Sequence, residues 1–287
     1  VFLGMSIVLD VESRLVMRWQ DLTMTPWKYG LATIVPHAVQ TTGNWVGKIK
    51  YSPQTHSSRR SFIVNDSVLN AHPVSPSERI YFKCRGCGVC CRHVRQSVPL
   101  ESSDVFRITR YLRSKNPEIR STDDFLVRYA EPALLDESGF FVFFLKVQPS
   151  EESCVFLKEN QCTIQQVKPK ACRMYPFVAE PMKNGRFRYL VSQEYNHHFK
   201  GQKVSVGRWM KQYFYPEERE ALFLDFSSAA NIARLMRKVP EDRFQQAVSL
   251  FCWYRYSDFN LEESFLEQYK RNLERLQLEL SQLAGEQ

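Results

Sequence analysis

Glycine is scarce in this chain. There are eleven glycines in 287 residues, and the one GxG, formed by Gly86 and Gly88, lies inside a run of cysteines. No Rossmann-type dinucleotide loop and no phosphate-binding P-loop is therefore available. Long apolar runs are missing too. Val1 to Leu9 is apolar but ends at Asp10 with no basic residue before it, and Phe140 to Leu145 is only strand-sized. Neither reads as a secretion signal or a membrane span, so the expectation is a soluble cytoplasmic protein with no membrane partner. Met5, Met17 and Met24 are alternative starts, and the first two dozen residues are given no weight. No HExxH, Ser/His/Asp set or paired-carboxylate signature is present, so the sequence names neither a substrate nor a reaction.

The remaining composition is that of an ordinary globular protein, 44% hydrophobic and 24% charged, with 13% aromatic residues, enough to bury a full core without cysteine staples. The net charge of +8 is unevenly spread: residues 1–215 carry +12 and residues 216–287 carry −4. A basic field of this kind helps hold thiolates ionised or attracts an anionic partner. No stretch interleaves basic and aromatic residues in an RNP-like pattern, so nucleic acid is not an expected partner.

No cysteine precedes Cys84, whereas seven of the eight fall between Cys84 and Cys172. Cys84, Cys87, Cys90 and Cys91 form the run CxxCxxCC. A two-residue gap lets successive thiolates converge on one ion or one cluster face, and Gly86 and Gly88 permit the tight turns this needs. Cys90 and Cys91, being adjacent, project differently and can serve separate centres. Cys154, Cys162 and Cys172 are spaced as the two ends of a hairpin plus a following turn, able to close a coordination sphere opened by the first group. A disulfide framework would need an oxidising compartment, and no export signal is seen. Thiolate softness excludes magnesium and calcium and leaves zinc, iron–sulfur or copper(I). Cys252, in the aromatic stretch Phe251 to Tyr254, reads as a buried core residue.

Local patterns give an α+β expectation: a small cysteine-rich metal-binding core of short helices and hairpins, followed by a helical C-terminal region. Residues 52–78, rich in Ser, His, Asn and Pro, read as a linker, so the division is 1–80 arm, 81–203 metal-binding domain, 204–287 helical region. Ser102 or Ser103 caps a helix with Val105, Ile108 and Leu112 on one face, and a second helix starts at Thr122 and buries Phe125, Leu126 and Tyr129. Phe140 to Val147 is a buried strand. Val155 to Leu157 and Cys162 to Ile164 form a hairpin turning at Glu159 and Asn160, and Gly185 to Gln193 is a strand. From Val204 the pattern is helical, bounded at Pro216 and Pro240. Leu266, Tyr269, Leu273, Leu276, Leu280 and Leu283 form a short heptad seam expected to dock on its own chain.

The residues Cys84 to Cys91, Pro99, Leu100, Asp104, Ile108, Cys154, Phe156, Leu157, Cys162, Pro169, Cys172, Arg173 and Tyr175 to Phe177 together resemble the YkgJ-type cysteine-cluster family, the CxxCxxCC proteins described as zinc- or iron-chelating. The resemblance spans about Phe82 to Gly201. It implies zinc or iron as the cofactor, the latter as ions or as a 4Fe–4S cluster. It also implies a metal client or an unidentified protein partner, with the oligomeric state open. The family's Arg-Pro before the seventh cysteine is Lys168-Pro169 here, and a further family cysteine before a glycine is replaced by His197 and His198 ahead of Gly201. The resemblance thus makes one imidazole a ligand near Cys154, Cys162 or Cys172, with the other facing solvent. Arg173, with Lys83, Arg85, Arg92 and Arg95, offsets thiolate charge or binds an anion beside the metal. Whether the protein is an enzyme stays open: the same resemblance extends to flagellin lysine-N-methylases, which are thought to use S-adenosylmethionine, and a redox role would require a cluster.

Overall fold

The computed structural model describes residues 71–135, 138–193 and 195–286, together with the backbone of an antiparallel pair, β1 (Leu3–Leu9) and β2 (Leu15–Asp21). Residues 52–70 and, apart from those strands, the first two dozen residues lie outside this description. The architecture is α+β, with several small sheets followed by a helical C-terminal region. Among the described residues no helix is long and apolar enough to cross a membrane.

The stretch read as a linker ends in structure. β3 (Ala71–Val74) and β4 (Arg79–Tyr81) are separate strands. β10 (Phe177–Pro181), β11 (Phe187–Ser192) and β3 form one antiparallel sheet, with β3 at its edge. β4 pairs with β12 (Lys203–Ser205), Tyr81 opposite Lys203 and Arg79 opposite Ser205. Pro73 is tolerated because an edge strand has one face of its ladder open and can forgo an N–H donor.

Between these strands lies the other half of the cysteine region. β5 (Pro99–Leu100) leads into helix α1 (Ser102–Arg113), whose N-cap is Glu101 rather than either serine. Glu101 and Asp104 form a capping box in which acidic side chains satisfy the first N–H groups. Helix α2 (Thr122–Tyr129) starts at its expected residue under a Ser121–Asp124 box. β6 (Ala130–Leu134) pairs with β7 (Phe141–Leu145), and β8 (Leu157–Lys158) pairs with β9 (Gln161–Cys162). The β8–β9 turn places Glu159 and Asn160 at φ 49° and 61°, the consecutive positive values of a tight hairpin turn that matches strand twist.

The C-terminal helices are α4 (Val206–Tyr213), α5 (Pro216–Lys238), α6 (Phe244–Cys252), extended by a π-helical turn over Trp253–Ser257, and α7 (Phe265–Leu283). Pro216 is the first residue of α5, where its missing N–H costs nothing. The seam of α7 docks within the chain: Tyr269, Leu273, Leu276 and Leu280 are buried, each worth about 1.5–3 kcal/mol relative to exposure. One hydrophobic cluster contains both these residues and Leu100, Ile108, Phe125, Phe141, Phe143, Cys154 and Phe156. Phe143 meets Tyr256 edge-on at 4.8 Å, and Phe106 meets Phe265 at 5.5 Å, so the helical region forms the rigid back of the cysteine region. Cys252 is fully buried in this core, as its aromatic surroundings imply.

Candidate metal centre

Two strands of opposite direction place the first group of donors. Beyond the β4–β12 ladder, the Phe82 N–H donates to the Gln202 carbonyl at 3.0 Å and the Lys83 N–H donates to the His198 carbonyl at 2.9 Å. The chain leaving β4 toward Cys84 is thereby zipped to the single helical turn Asn196–His198 that precedes β12. Cys87 Sγ then lies 3.3 Å from Nε2 of His198 and 3.6 Å from Nε2 of His197. Among the described residues this is the one group of three or more such donors whose ligand atoms all lie within 4.8 Å of one another. A tetrahedral ion with bonds of about 2.3 Å to sulfur and about 2.0 Å to nitrogen would separate S and N by about 3.5 Å. The donor set fits one zinc or iron ion.

The two imidazoles are held unequally. His198 is buried, its ring edge-on to Phe82 at 6.2 Å and its Nδ1 3.5 Å from the Tyr175 hydroxyl. A hydroxyl behind the ring fixes which nitrogen faces the metal. Burial, then His197 and Arg85, lowers the His198 pKa, so the ring stays in the neutral, ligand-competent form. His197 is exposed. One imidazole near sulfur and one at the surface were expected, but the sulfur both meet belongs to Cys87, not to Cys154, Cys162 or Cys172. Cys84 and Cys87 are both exposed.

The second group is deeper. The Cys154 N–H donates to the Cys91 carbonyl at 2.7 Å, and the His93 and Val94 N–H groups donate to Glu151 and Glu152 carbonyls at 3.0 Å each. The end of the first cysteine run is thus pinned to the start of the second. The Gln148 amide donates to the carbonyls of Cys154 and Leu157 at 3.0 and 2.9 Å, shaping the loop into β8. Gly88, at φ 69°, packs against Asn160 so closely that a Cβ would stand 3.2 Å from its carbonyl oxygen. Cys172 sits on the short helix α3 (Lys170–Met174). Buried Asp104 anchors it, accepting from the Lys170 N–H and from the Arg107 guanidinium, both at 2.8 Å.

The thiols of this group act on one another. Burial pushes Cys154 up to about 11, and neighbouring Cys162 and Cys90 push the same way. Burial raises Cys172 as well, with Cys154, Cys90 and Cys162 adding to it. Cys91 is raised by its hydrogen bond with Cys90, then by burial and by Cys90, Cys172 and Cys154. Burial also raises Cys162. Thiolates gathered in low dielectric repel, so without a cation these groups stay protonated, and a bound cation would favour their ionised, ligating form. All eight cysteines are free of disulfides.

The cations around the cysteines divide by role. Arg173 does not face the sulfurs as a counter-charge: its guanidinium pairs with buried Glu218 and donates to the carbonyls of Tyr213 and Lys168 at 3.0 and 3.2 Å. It is a structural brace to α4 and α5. Arg95 pairs with Glu152 at 2.6 Å and Arg92 with Glu151 at 3.5 Å. Tyr175, Gln148 and the anchoring role of Asp104 are not visible in cysteine spacing. Only the presence of Asp104 and Tyr175 among the residues of the resemblance marked them.

Residues 83–200 match the sequence model of the CxxCxxCC family, whose description reads "Putative zinc- or iron-chelating domain". No curated protein matches the chain, and no solved structure does.

Proposed function

Because residues 83–200 match the model of the CxxCxxCC family, we propose that the protein holds metal at two places of different character. The outer centre uses Cys87, His197 and His198, with Cys84 as the fourth donor that the two-residue gap supplies, and it takes zinc. The single observation that carries this is the convergence of one sulfur and two imidazole nitrogens within 4.8 Å, a mixed donor set suited to zinc. Bound there, the ion supplies positive charge that ties the loop after β4 to the turn before β12. Because Cys84, Cys87 and His197 are exposed, the ion is open to exchange, which favours holding metal for a client over chemistry on an enclosed substrate. Metal held by thiolates suits a reducing compartment such as the cytoplasm. Residues 81–203 act as the metal-binding domain and 204–287 as its helical support.

The inner centre uses Cys90, Cys91, Cys154, Cys162 and Cys172. Its sulfurs influence one another's ionisation. Five thiols with no imidazole among them offer the all-cysteine ligation that iron–sulfur clusters use, which supports iron, as a cluster, at the inner group.

Metal analysis and a visible spectrum after anaerobic purification test both assignments. The expected result is zinc together with iron and an absorption band near about 400 nm. Cys87→Ser and His198→Ala should each remove about one zinc per chain and leave the band, because oxygen or nothing replaces a soft or borderline donor. Cys252→Ser should change neither. Zinc retained at full content in both outer variants would remove Cys87 and His198 from the ligand set.

A further inference from the structure

A cavity of about 610 Å³ opens beside the outer centre. Its wall is shared with that centre, because Phe82, Lys83 and Cys84 line it, and Phe82 is the residue packed edge-on against His198. The far side is built from β12 and the first turns of α4. Four cationic side chains line it, Arg79, Lys83, Lys203 and Arg208, and no carboxylate does.

That charge distribution asks for an explanation. Among the described residues none of the four is ion-paired, while Arg92, Arg95, Arg107, Arg113, Arg128, Arg173 and Arg188 all are. Among the described residues the Lys203 ammonium meets only the Tyr81 ring, 4.9 Å away. Gathering like charges around a concave surface focuses their field, and the arrangement is relieved by an anion entering it. The remaining lining is polar or aromatic: serines and glutamines that can donate hydrogen bonds, and the half-buried Trp209, whose indole N–H is already held by the Met174 carbonyl at 3.0 Å. An indole so fixed is a rigid wall for a ligand, not a mobile surface group.

We propose that this cavity binds a small molecule bearing two or more negative charges, as a phosphate ester or a dicarboxylate. Its size lies in the range of small-molecule sites. Guanidinium groups of Arg79 and Arg208 supply planar paired donors that match both phosphate and carboxylate, and Lys83 and Lys203 supply point charges. The cavity borders the outer centre at Cys84, but its cationic side chains are not metal donors, so the proposal does not require metal to be bound.

Calorimetric titration of the full chain at low ionic strength tests it, with adenosine monophosphate and succinate as probes, since neither chelates strongly enough to strip thiolate-bound metal. One molecule bound per chain is expected for at least one probe, and which probe binds identifies the ligand as phosphate or dicarboxylate. The double variant Arg79→Ala/Arg208→Ala should weaken that binding about tenfold or more, the loss expected for charge-assisted contacts. Lys183→Ala, in the exposed β10–β11 turn, should bind as the parent does. The proposal is overturned if neither probe saturates below about 1 mM, if the double variant binds unchanged, or if Lys183→Ala weakens binding equally, which would make the attraction one of net charge alone.

Discussion

Replacing Asp104 by Ala should unfasten Cys172. The carboxylate is fully buried and accepts from the Lys170 N–H, the Arg107 guanidinium and, at 3.4 Å, the Glu101 N–H. Removing it leaves the first N–H of α3 and one face of a half-buried guanidinium without an acceptor. Breaking a buried ion pair by deleting one partner costs about 3–5 kcal/mol. Arg107 keeps the Lys168 carbonyl at 3.2 Å and Glu218 at 3.7 Å, so the lower end, about 3 kcal/mol, is expected. At roughly 2–4 °C per kcal/mol for a chain of this size, the melting temperature should fall by about 6–12 °C. Asp104→Asn keeps one acceptor but turns an amide toward the Glu101 N–H, and should fall between the two. Thermal unfolding with metal analysis reads both effects: iron in the inner group should drop while zinc at Cys87, His197 and His198 stays. A shift under about 2 °C with iron intact would refute the idea that Asp104 anchors α3.

Burial pushes Asp123 up to about 6, against the Ser257 hydroxyl that donates to it. Its contribution to stability is therefore full below about pH 4 and is lost as pH rises through about 6, up to about 3 kcal/mol. Asp123→Asn should flatten the stability curve across that window, and an unchanged curve in urea titrations at pH 4 to 7 would contradict this. Gly88→Ala should cost more than Gly86→Ala, because both sit at positive φ but only Gly88 has a carbonyl in the way; each pays about 1–2 kcal/mol for the backbone alone. Equal losses in chemical denaturation would show that Asn160 gives way. Strong chelation under reducing conditions should expose residues 82–200 to protease before 216–283, and simultaneous loss of both would disprove a metal-dependent segment.

Much of the fold was legible because its signals are local. The Glu159–Asn160 turn, the start of α2 at Thr122 and the seam on α7 each depend on neighbours a few residues away. β3 was hidden by Pro73, which argues against a strand unless the strand is known to be an edge, and edges are set by partners a hundred residues distant. The cap of α1 was misplaced by one or two residues because serine is the commoner cap, whereas here half-buried Glu101 does that work, boxed with buried Asp104, which also holds α3. The cysteine groups were legible from spacing, but their partition was not. That both imidazoles meet Cys87 depends on β4 pairing with β12, and no periodicity in either three-residue strand announces it. Arg173 was misread for the same reason: its partner, Glu218, lies 45 positions away.

The pinning of Cys154 to Cys91 has a consequence for the order in which the chain assembles. The outer pair, Cys87 and His198, is 111 positions apart, and the inner contact lies wholly between them, so one loop is nested in the other. Once the inner contact forms, the path that the outer pair must close shortens from 111 positions to roughly 50, lowering its closure cost by about 0.7 kcal/mol. Assembly from the inside outward is therefore the cheaper route. An ion at the proposed outer centre would arrive as a clasp on a ring already half drawn together, and its departure would leave the inner group standing.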